Sequence, residues 1–187
     1  MRAFLALEFS DQIKSAIGDL AERLRFSARG AKWVPSNQLH LTLKFFEDIP
    51  QEKIPEVDAA VTAACREARP FSVSLRGLGT FGQAGAARVI WAGISDGNGS
   101  LASLARLVED RLEKMGVPKE SRSFNPHVTL CRFREPCRAP ALAGAIESLK
   151  GYECGTFQAS ELALFSSQLG PSGAVHTLLR TYPMGAM

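Results

Sequence analysis

Two periodicities of apolar and polar positions run along the chain and predict a mixture of strands and helices. Residues 11 to about 24 carry apolar side chains at helical spacing, and Ser10 is available as the N-cap. Residues 40–45 alternate with period two, which predicts a strand. The same criteria predict further strands at 2–8, 71–75, 88–94, 127–133, about 153–165 and 175–181. Further helices are predicted at 52–68, at 99 or 100 to 115, and at 139–149.

The order of these elements favours an α+β fold of two related lobes within one domain, residues 1–187. Strands and helices alternate irregularly, so we expect each lobe to have a mainly antiparallel sheet with helices outside, rather than a doubly wound parallel sheet. The glycine-rich segment 79–85 is predicted to be a hairpin tip. No helix is predicted directly after it and no Gly-Lys-Ser/Thr is present, so it is not a nucleotide-phosphate loop.

Composition and charge indicate an ordinary globular protein with no dense positive charge. The 187 residues are 45% hydrophobic and 22% charged, with a formal net charge of +3. This balance excludes a protein that coats nucleic acid, so any anionic partner is expected to be recognised locally. Basic residues do cluster near the second motif described below, where they form either one mouth of a cleft or a solvated surface: Lys119, Arg122, Arg132, Arg134 and Arg138.

The cysteines and the N-terminal segment predict a cytoplasmic protein. No C-x-x-C spacing occurs among Cys65, Cys131, Cys137 and Cys154, and the first residues lack a signal-peptide layout. We expect four free thiols, with Cys131 packed as a small hydrophobe. The uncharged apolar stretches are too short to span a bilayer. We therefore expect no membrane partner, and we also expect a monomer.

A duplicated His-x-Thr pattern is the main chemical signal. His40 and His127 each have a threonine two positions later, at Thr42 and Thr129, and the pattern occurs in two of the three histidines. In a strand, residues two apart share a face, so each strand presents one imidazole and one hydroxyl. One such motif alone is more often a satisfied polar face, but the repetition favours a shared site.

Two facing pairs of this kind provide a base, an acid and two hydrogen-bond donors for phosphate oxygens. Histidine suits both proton-transfer roles because its ordinary pKa of about 6.5 allows either protonation state near neutral pH. A zinc site is the alternative, but no Asp, Glu or Cys lies at ligand spacing. We therefore expect phosphoester cleavage with no metal and no cofactor.

The chain resembles the RNA 2′,3′-cyclic phosphodiesterases, also called 2′-5′ RNA ligases, of the two-histidine (2H) phosphoesterases. The resemblance covers nearly the whole chain, at 1–6, 33–34, 40–45, 126–132 and 164–167 with Gly173. It implies a bilobal fold with a pseudo-twofold axis and both motifs in the central cleft. By resemblance, His40 is the proton donor and His127 the proton acceptor. Thr42 and Thr129 match the phosphate-binding threonines, and Arg132 matches an arginine that faces the substrate.

Strand alternation predicts where three of these side chains lie. Arg132 falls on the face opposite His127, so a bulge or strand end is needed to bring it to the cleft. Lys44 shares the face of His40 and either reaches the cleft or is solvated. Phe45 has the parity of the core residues and is expected to pack. We expect His176, at a position where this family more often has an aromatic residue, to be structural or peripheral.

These observations lead to one functional hypothesis and two alternatives. We expect hydrolysis of an RNA-terminal 2′,3′-cyclic phosphate to a 2′-phosphate, with ATP-independent 2′-5′ ligation as the reverse type of reaction. The first alternative is a cyclic phosphodiesterase of small nucleotides. The second is a non-catalytic module that binds RNA ends.

Overall fold

In the described part of the chain four helices accompany two antiparallel sheets, so the α+β prediction is confirmed. The structure, a computed structural model, describes residues 1–83, 85–121, 123–170 and 173–185. The helices are α1 (Asp11–Arg25), α2 (Ile54–Glu67), α3 (Ser100–Glu113) and α4 (Pro140–Leu149). Short 3₁₀ turns occupy Ser36–Gln38 and Gln51–Lys53.

Nine strands form the two sheets within the described residues. They are β1 (Ala3–Glu8), β2 (Ala31–Trp33), β3 (His40–Phe46), β4 (Phe71–Gln83), β5 (Ala86–Ser95), β6 (His127–Cys137), β7 (Glu153–Ala159), β8 (Glu161–Gly170) and β9 (Gly173–Pro183). The first sheet has the order β3-β1-β8-β9 and the second has the order β2-β6-β5-β4-β7. All of these pairings are antiparallel.

Helix α1 shows how the sequence pattern specifies an element. The Ser10 hydroxyl accepts a hydrogen bond from the Ile13 amide at 3.4 Å, which caps the helix as predicted. The apolar residues of α1 are all buried: Ile13, Ile17, Leu20 and Leu24. Burial of this stripe holds the helix on the second sheet, where α1 packs against β7.

The two motif strands have the same local surroundings. Strand β3 follows β1 and α1 and pairs with β1, whereas β6 follows β5 and α3 and pairs with β5. His40 lies opposite Glu8 in its pair, and His127 lies opposite Gly93. Each lobe therefore uses a strand, a helix and an antiparallel return strand to position one motif.

Two predicted segments fold differently. The hairpin expected around 79–85 is present, but its tip is shorter than predicted, because β4 continues to Gln83 and β5 begins at Ala86. Gly79 lies inside β4, where a Cβ would overlap the indole of Trp91. The single strand expected at 153–165 is wrong. It is divided at Ser160 into β7 and β8, which belong to different sheets.

The remaining expectations about cysteines and membranes concern the same described residues. The four cysteines are free thiols, and Cys131 is fully buried in the core, as predicted. No described helix is both long enough and apolar enough to cross a bilayer.

Candidate active site

Both His-x-Thr motifs line one cavity between the two sheets. Strand β3 is an edge strand of the first sheet, and it lies against β6 of the second sheet. The cavity, here called the motif cavity, has a volume of about 520 Å³. Its lining includes all five residues singled out by the sequence: His40, Thr42, His127, Thr129 and Arg132.

The two imidazoles are oriented in the same way. The Nδ1 atom of His40 lies 2.7 Å from the carbonyl oxygen of Gln38, and Nδ1 of His127 lies 2.7 Å from the carbonyl oxygen of Asn125. A carbonyl oxygen only accepts, so each Nδ1 carries hydrogen and donates it. In the neutral ring Nε2 is then the basic nitrogen, and it is the atom available for proton exchange.

Each motif strand carries a bulge directly after its threonine. In the first sheet Thr42 lies opposite Ala6 and Lys44 opposite Leu5, so Leu43 is the extra residue. In the second sheet the pairs Thr129–Trp91 and Cys131–Ile90 leave Leu130 as the extra residue. A bulge places two residues opposite one and reverses the alternation of faces beyond it. The two motifs thus share a backbone irregularity as well as a sequence pattern.

The bulge in β6 brings Arg132 back to the cavity. Leu130 and Cys131 are both buried as consecutive residues, and Arg132 is then exposed on the face of Thr129. Strict alternation would have turned its guanidinium away. The geometric condition stated for Arg132 is therefore met by a bulge.

The bulge in β3 has the opposite consequence for two predicted side chains. Lys44 is only 6% exposed, with its Nζ 3.0 Å from a Glu109 carboxylate oxygen and 2.9 Å from the Pro118 carbonyl oxygen. Both expectations for Lys44, cleft or solvent, are wrong. Phe45 is 37% exposed and lines the motif cavity, so the expectation that it packs in the core is wrong too.

Burial lowers the pKa of His40 from 6.5 to about 4. Desolvation is the largest cause, the hydrogen bond to the Gln38 carbonyl opposes it, and the charge of His176 lowers the pKa further. The ring also stacks on Phe4, with centroids 4.6 Å apart. In the free protein His40 is therefore neutral near pH 7.

Comparison with known proteins decides the family. A profile of the 2′-5′ RNA ligase superfamily matches residues 9–171. The chain belongs to this superfamily. It is 31% identical over 182 residues to the RNA 2′,3′-cyclic phosphodiesterase of Methanothermobacter thermautotrophicus, which covers 97% of this chain and 98% of that protein. The RNA 2′,3′-cyclic phosphodiesterase of Aquifex aeolicus is 31% identical over 186 residues, or 99% and 98% of the two chains.

Solved structures show the same fold. The crystal structure of TT0787 from Thermus thermophilus matches with a TM-score of 0.84 at 30% identity, covering 99% of this chain and 98% of that one. Apo LigT from Escherichia coli matches with a TM-score of 0.79 at 22% identity, covering 99% and 98%. The predicted family and its two-sheet fold are confirmed.

His176 is a cavity residue of this superfamily member that the sequence did not indicate. Its ring lies edge-on to His40 and Phe4, at centroid distances of 5.6 and 4.9 Å, and it lines the motif cavity. The expectation that His176 is peripheral is wrong. Its Nδ1 is buried without a hydrogen-bond partner among the described residues, and burial lowers its pKa. His176 lies opposite Ser167 in β8, and the pairing of β8 with β1 brings both strands to the cavity. That β1–β8 pairing joins distant parts of the chain, so no local pattern encodes it.

The charge of the motif cavity is positive and local. Arg2 and Arg132 line it, and none of its described lining residues is Asp or Glu. Arg2 lies over the Phe45 ring, with its guanidinium carbon 5.3 Å from the centroid. Lys119, Arg134 and Arg138 from the predicted basic cluster are not in its lining, and Arg122 lies outside the described residues. Among the described members of that cluster, Arg132 alone lines the motif cavity.

No group of three or more His, Cys, Asp or Glu side chains comes together at metal-binding distances in the described part of the chain. The motif cavity instead offers imidazoles, hydroxyls and guanidiniums. These groups exchange protons and donate hydrogen bonds to phosphate oxygens.

Proposed function

We propose that this protein hydrolyses RNA-terminal 2′,3′-cyclic phosphate to 2′-phosphate by metal-independent acid-base catalysis. The observation that carries the proposal is that two imidazoles, each with Nδ1 on a main-chain carbonyl, line one cavity together with two threonines and Arg132. The activity named for the relatives supports it, since two of them are 31% identical over nearly the whole chain.

In the proposed reaction His127 is the base and His40 is the acid. Neutral His127 takes a proton from water as the water oxygen bonds to phosphorus. Protonated His40 donates its proton to the departing 3′-oxygen as the P–O3′ bond breaks. The products are a 2′-phosphate and a free 3′-hydroxyl, so no redox partner is needed.

The low pKa of His40 in the free protein makes substrate charge part of this mechanism. Negative charge close to an imidazole stabilises its protonated form and raises its pKa. A cyclic phosphate bound in the motif cavity thus opposes the burial that lowers the pKa of His40 to about 4. His40 therefore becomes protonated when the cyclic phosphate binds, and it later donates this proton to the departing 3′-oxygen.

Thr42, Thr129 and Arg132 are proposed to bind the phosphate. Each hydroxyl can donate one hydrogen bond to a phosphate oxygen, and the guanidinium can donate two in parallel. Replacing either threonine by alanine is expected to cost less than replacing either histidine, because the acid and the base remain.

Run in reverse with an RNA 5′-hydroxyl in place of water, the same groups would form a 2′-5′ bond without ATP. We propose this as a secondary activity. Monomeric state and a cytoplasmic location remain predictions from the sequence.

The decisive experiment uses an RNA oligonucleotide ending in 2′,3′-cyclic phosphate and separates 2′-phosphate from 3′-phosphate products. We expect 2′-phosphate only, and a rate about 10²-fold to 10⁴-fold lower for His40→Ala and for His127→Ala. Binding without turnover by the wild type would favour the RNA-end module. Equal kcat/KM for the oligonucleotide and for adenosine 2′,3′-cyclic phosphate would favour the small-nucleotide enzyme.

A further inference from the structure

A second cavity opens beside the motif cavity and shares Thr42, Phe45 and His127 with it. This cavity, here called the α3 cavity, has a volume of about 880 Å³ and lies against α3 and the segment before β6. Nothing in the hydrolysis proposed above needs it, since water is the second reactant. Its continuity with the motif cavity makes it the natural place for a larger second reactant.

The chemical linings of the two cavities differ. The α3 cavity has an apolar part formed by Leu43, Phe81, Ala105 and Phe124. The Phe81 ring lies edge-on to His127, with centroids 4.8 Å apart. An aromatic ring beside the reacting imidazole suits a nucleobase, because any of the bases can stack on such a ring.

The charged groups of the α3 cavity are largely paired and add no net positive charge. Three carboxylates line it, from Glu109, Asp110 and Glu120, against two cations, Arg106 and Lys119. Lys119 forms a salt bridge with Asp110 at 2.8 Å, and Glu109 forms one with Lys44 at 2.9 Å, so these charges compensate one another. The motif cavity, by contrast, is lined by two arginines and by no Asp or Glu among its described residues. A phosphate is therefore favoured in the motif cavity and an uncharged group in the α3 cavity.

The two histidines are placed asymmetrically with respect to this second space. His127 lines both cavities, whereas His40 lines only the motif cavity. A hydroxyl held in the α3 cavity therefore meets His127 first. This matches the proposed role of His127 as the base that acts on the nucleophile.

We propose that the α3 cavity binds the nucleoside that carries the free 5′-hydroxyl in 2′-5′ bond formation and cleavage. The inference rests on the proposed function and names its second substrate. In the forward step His127 takes the 5′-hydroxyl proton, the P–O5′ bond forms, the P–O3′ bond breaks, and His40 protonates O3′. Cleavage reverses each transfer, so that O3′ attacks and the nucleoside leaves with a proton from His127. The nucleoside is uncharged, in keeping with a cavity whose charges are largely paired.

The test fills the α3 cavity without touching the motif cavity. Ala102 is exposed and lines only the α3 cavity, so Ala102→Trp blocks the nucleoside and leaves the groups for hydrolysis in place. Ala141→Trp is the matched control, because Ala141 is an exposed helical alanine on α4 that lines neither cavity. The substrates are adenylyl-2′-5′-adenosine, which needs both cavities, and adenosine 2′,3′-cyclic phosphate, which needs one.

We expect Ala102→Trp to lower kcat/KM for the dinucleoside by about 10-fold to 100-fold, the loss expected for one displaced base. Hydrolysis of the cyclic mononucleotide should stay within about 2-fold of wild type, and Ala141→Trp should leave both reactions unchanged. Phe81→Ala gives a second measure and should raise KM for the dinucleoside more than for the mononucleotide.

Three results would overturn the assignment. Dinucleoside cleavage by Ala102→Trp at the wild-type rate would place the nucleoside elsewhere, and an equal loss on both substrates would show that the substitution acts on the motif cavity. Wild-type hydrolysis of the cyclic mononucleotide with no dinucleoside cleavage would remove the second site and leave the hydrolase. If the wild type turns over neither these two substrates nor an RNA oligonucleotide ending in 2′,3′-cyclic phosphate, the proposed function fails. Calorimetric binding of the dinucleoside to wild type and Ala102→Trp then decides the site alone.

Discussion

Phe45 and Arg132 occupy equivalent positions in the two motif strands. Each lies three residues after its motif threonine and two residues after a bulged leucine, and each lines the motif cavity. One motif thus contributes an aromatic ring and the other a guanidinium. The backbone is duplicated, but the side chains it delivers are not.

The first prediction concerns the Arg132 guanidinium, which the bulge in β6 turns toward the motif cavity. Arg132→Ala should raise KM for a cyclic-phosphate substrate by about 10-fold to 100-fold, because it removes a charge-assisted contact to phosphate. Arg134→Ala is the control, since Arg134 is exposed and does not line the cavity. Steady-state kinetics on both variants tests this. A similar KM for the two variants would show that Arg132 does not contact the substrate.

Sequence periodicity predicted the motif faces because burial and alternation are local properties. Strand β3 was predicted at 40–45 and observed at His40–Phe46, and α1 was predicted to within about one residue. In both segments the apolar stripe alone specifies which side faces the core. The placement of His40 with Thr42 and of His127 with Thr129 followed from the same rule.

The periodicity alone does not locate the bulges, because both bulged residues are leucines, which can face the core on either side of the irregularity. The family resemblance of Arg132 required a bulge or a strand end in β6, but no such signal marked β3. Leu43 is followed by Lys44, whose long side chain looked polar and outward-facing. It is instead buried against Glu109, a residue 65 positions away. Gly79 and His176 were misjudged for a related reason. The indole that excludes a Cβ and the strand that carries His176 to His40 come from distant parts of the chain.

The second prediction follows from that buried ion pair, which links β3 to α3. Lys44→Met should lower the free energy of unfolding by about 3 kcal/mol, because it leaves the mostly buried Glu109 carboxylate without its cation. Lys53→Met is the control, since its pair with Glu56 is exposed and should change stability by less than about 0.5 kcal/mol. Urea denaturation measures both. Adding Glu109→Gln to Lys44→Met should recover part of the loss, and no recovery would argue against the ion pair as the cause.

The third prediction concerns metal ions. The cavity presents imidazoles, hydroxyls and guanidiniums, so the acid-base mechanism should proceed in excess EDTA at the rate seen without it. Turnover of a cyclic-phosphate RNA before and after chelation provides the measurement. Loss of activity that is restored by zinc or magnesium would replace this mechanism with metal-ion catalysis.

The fourth prediction concerns the protonation of His40. Its imidazole should titrate at about pH 4 in the free protein and at higher pH with adenosine 2′-phosphate bound, because the anion favours the protonated ring. Nitrogen-15 NMR titration of the histidine rings, with His40→Asn for assignment, would show this. An unchanged pKa on binding would mean that the phosphate does not lie beside His40.

The same pKa shift makes stability depend on pH with a defined sign. The folded-state pKa of about 4 lies below the ordinary 6.5, so the unfolded chain binds more protons between these values. The contribution of His40 is present above about pH 6.5 and is lost as the pH falls toward 4. The wild type should therefore lose more unfolding free energy across this window than His40→Asn does.

The last prediction separates the two histidines by the pH dependence of kcat/KM. A reaction that needs neutral His127 and protonated His40 has a bell-shaped profile, because the rate rises as the base loses its proton and falls as the acid does. His40→Ala should abolish the fall at high pH and retain the rise, whereas His127→Ala should abolish the rise and retain the fall. Each variant should also lose about 10²-fold to 10⁴-fold in rate, the scale of one positioned proton-transfer group.

Measurement between pH 4 and 9 with saturating and limiting adenosine 2′,3′-cyclic phosphate gives the profiles for wild type and both variants. Thr129→Ala is the internal comparison, since it removes a proposed phosphate contact but no titrating group. It should lower kcat/KM at every pH without shifting the pH at which either limb begins. If His40→Ala instead loses the rising limb, the roles of acid and base are reversed. If both limbs persist in both variants, the titrating groups lie elsewhere, and His176, edge-on to His40 in the same cavity, becomes the first residue to replace.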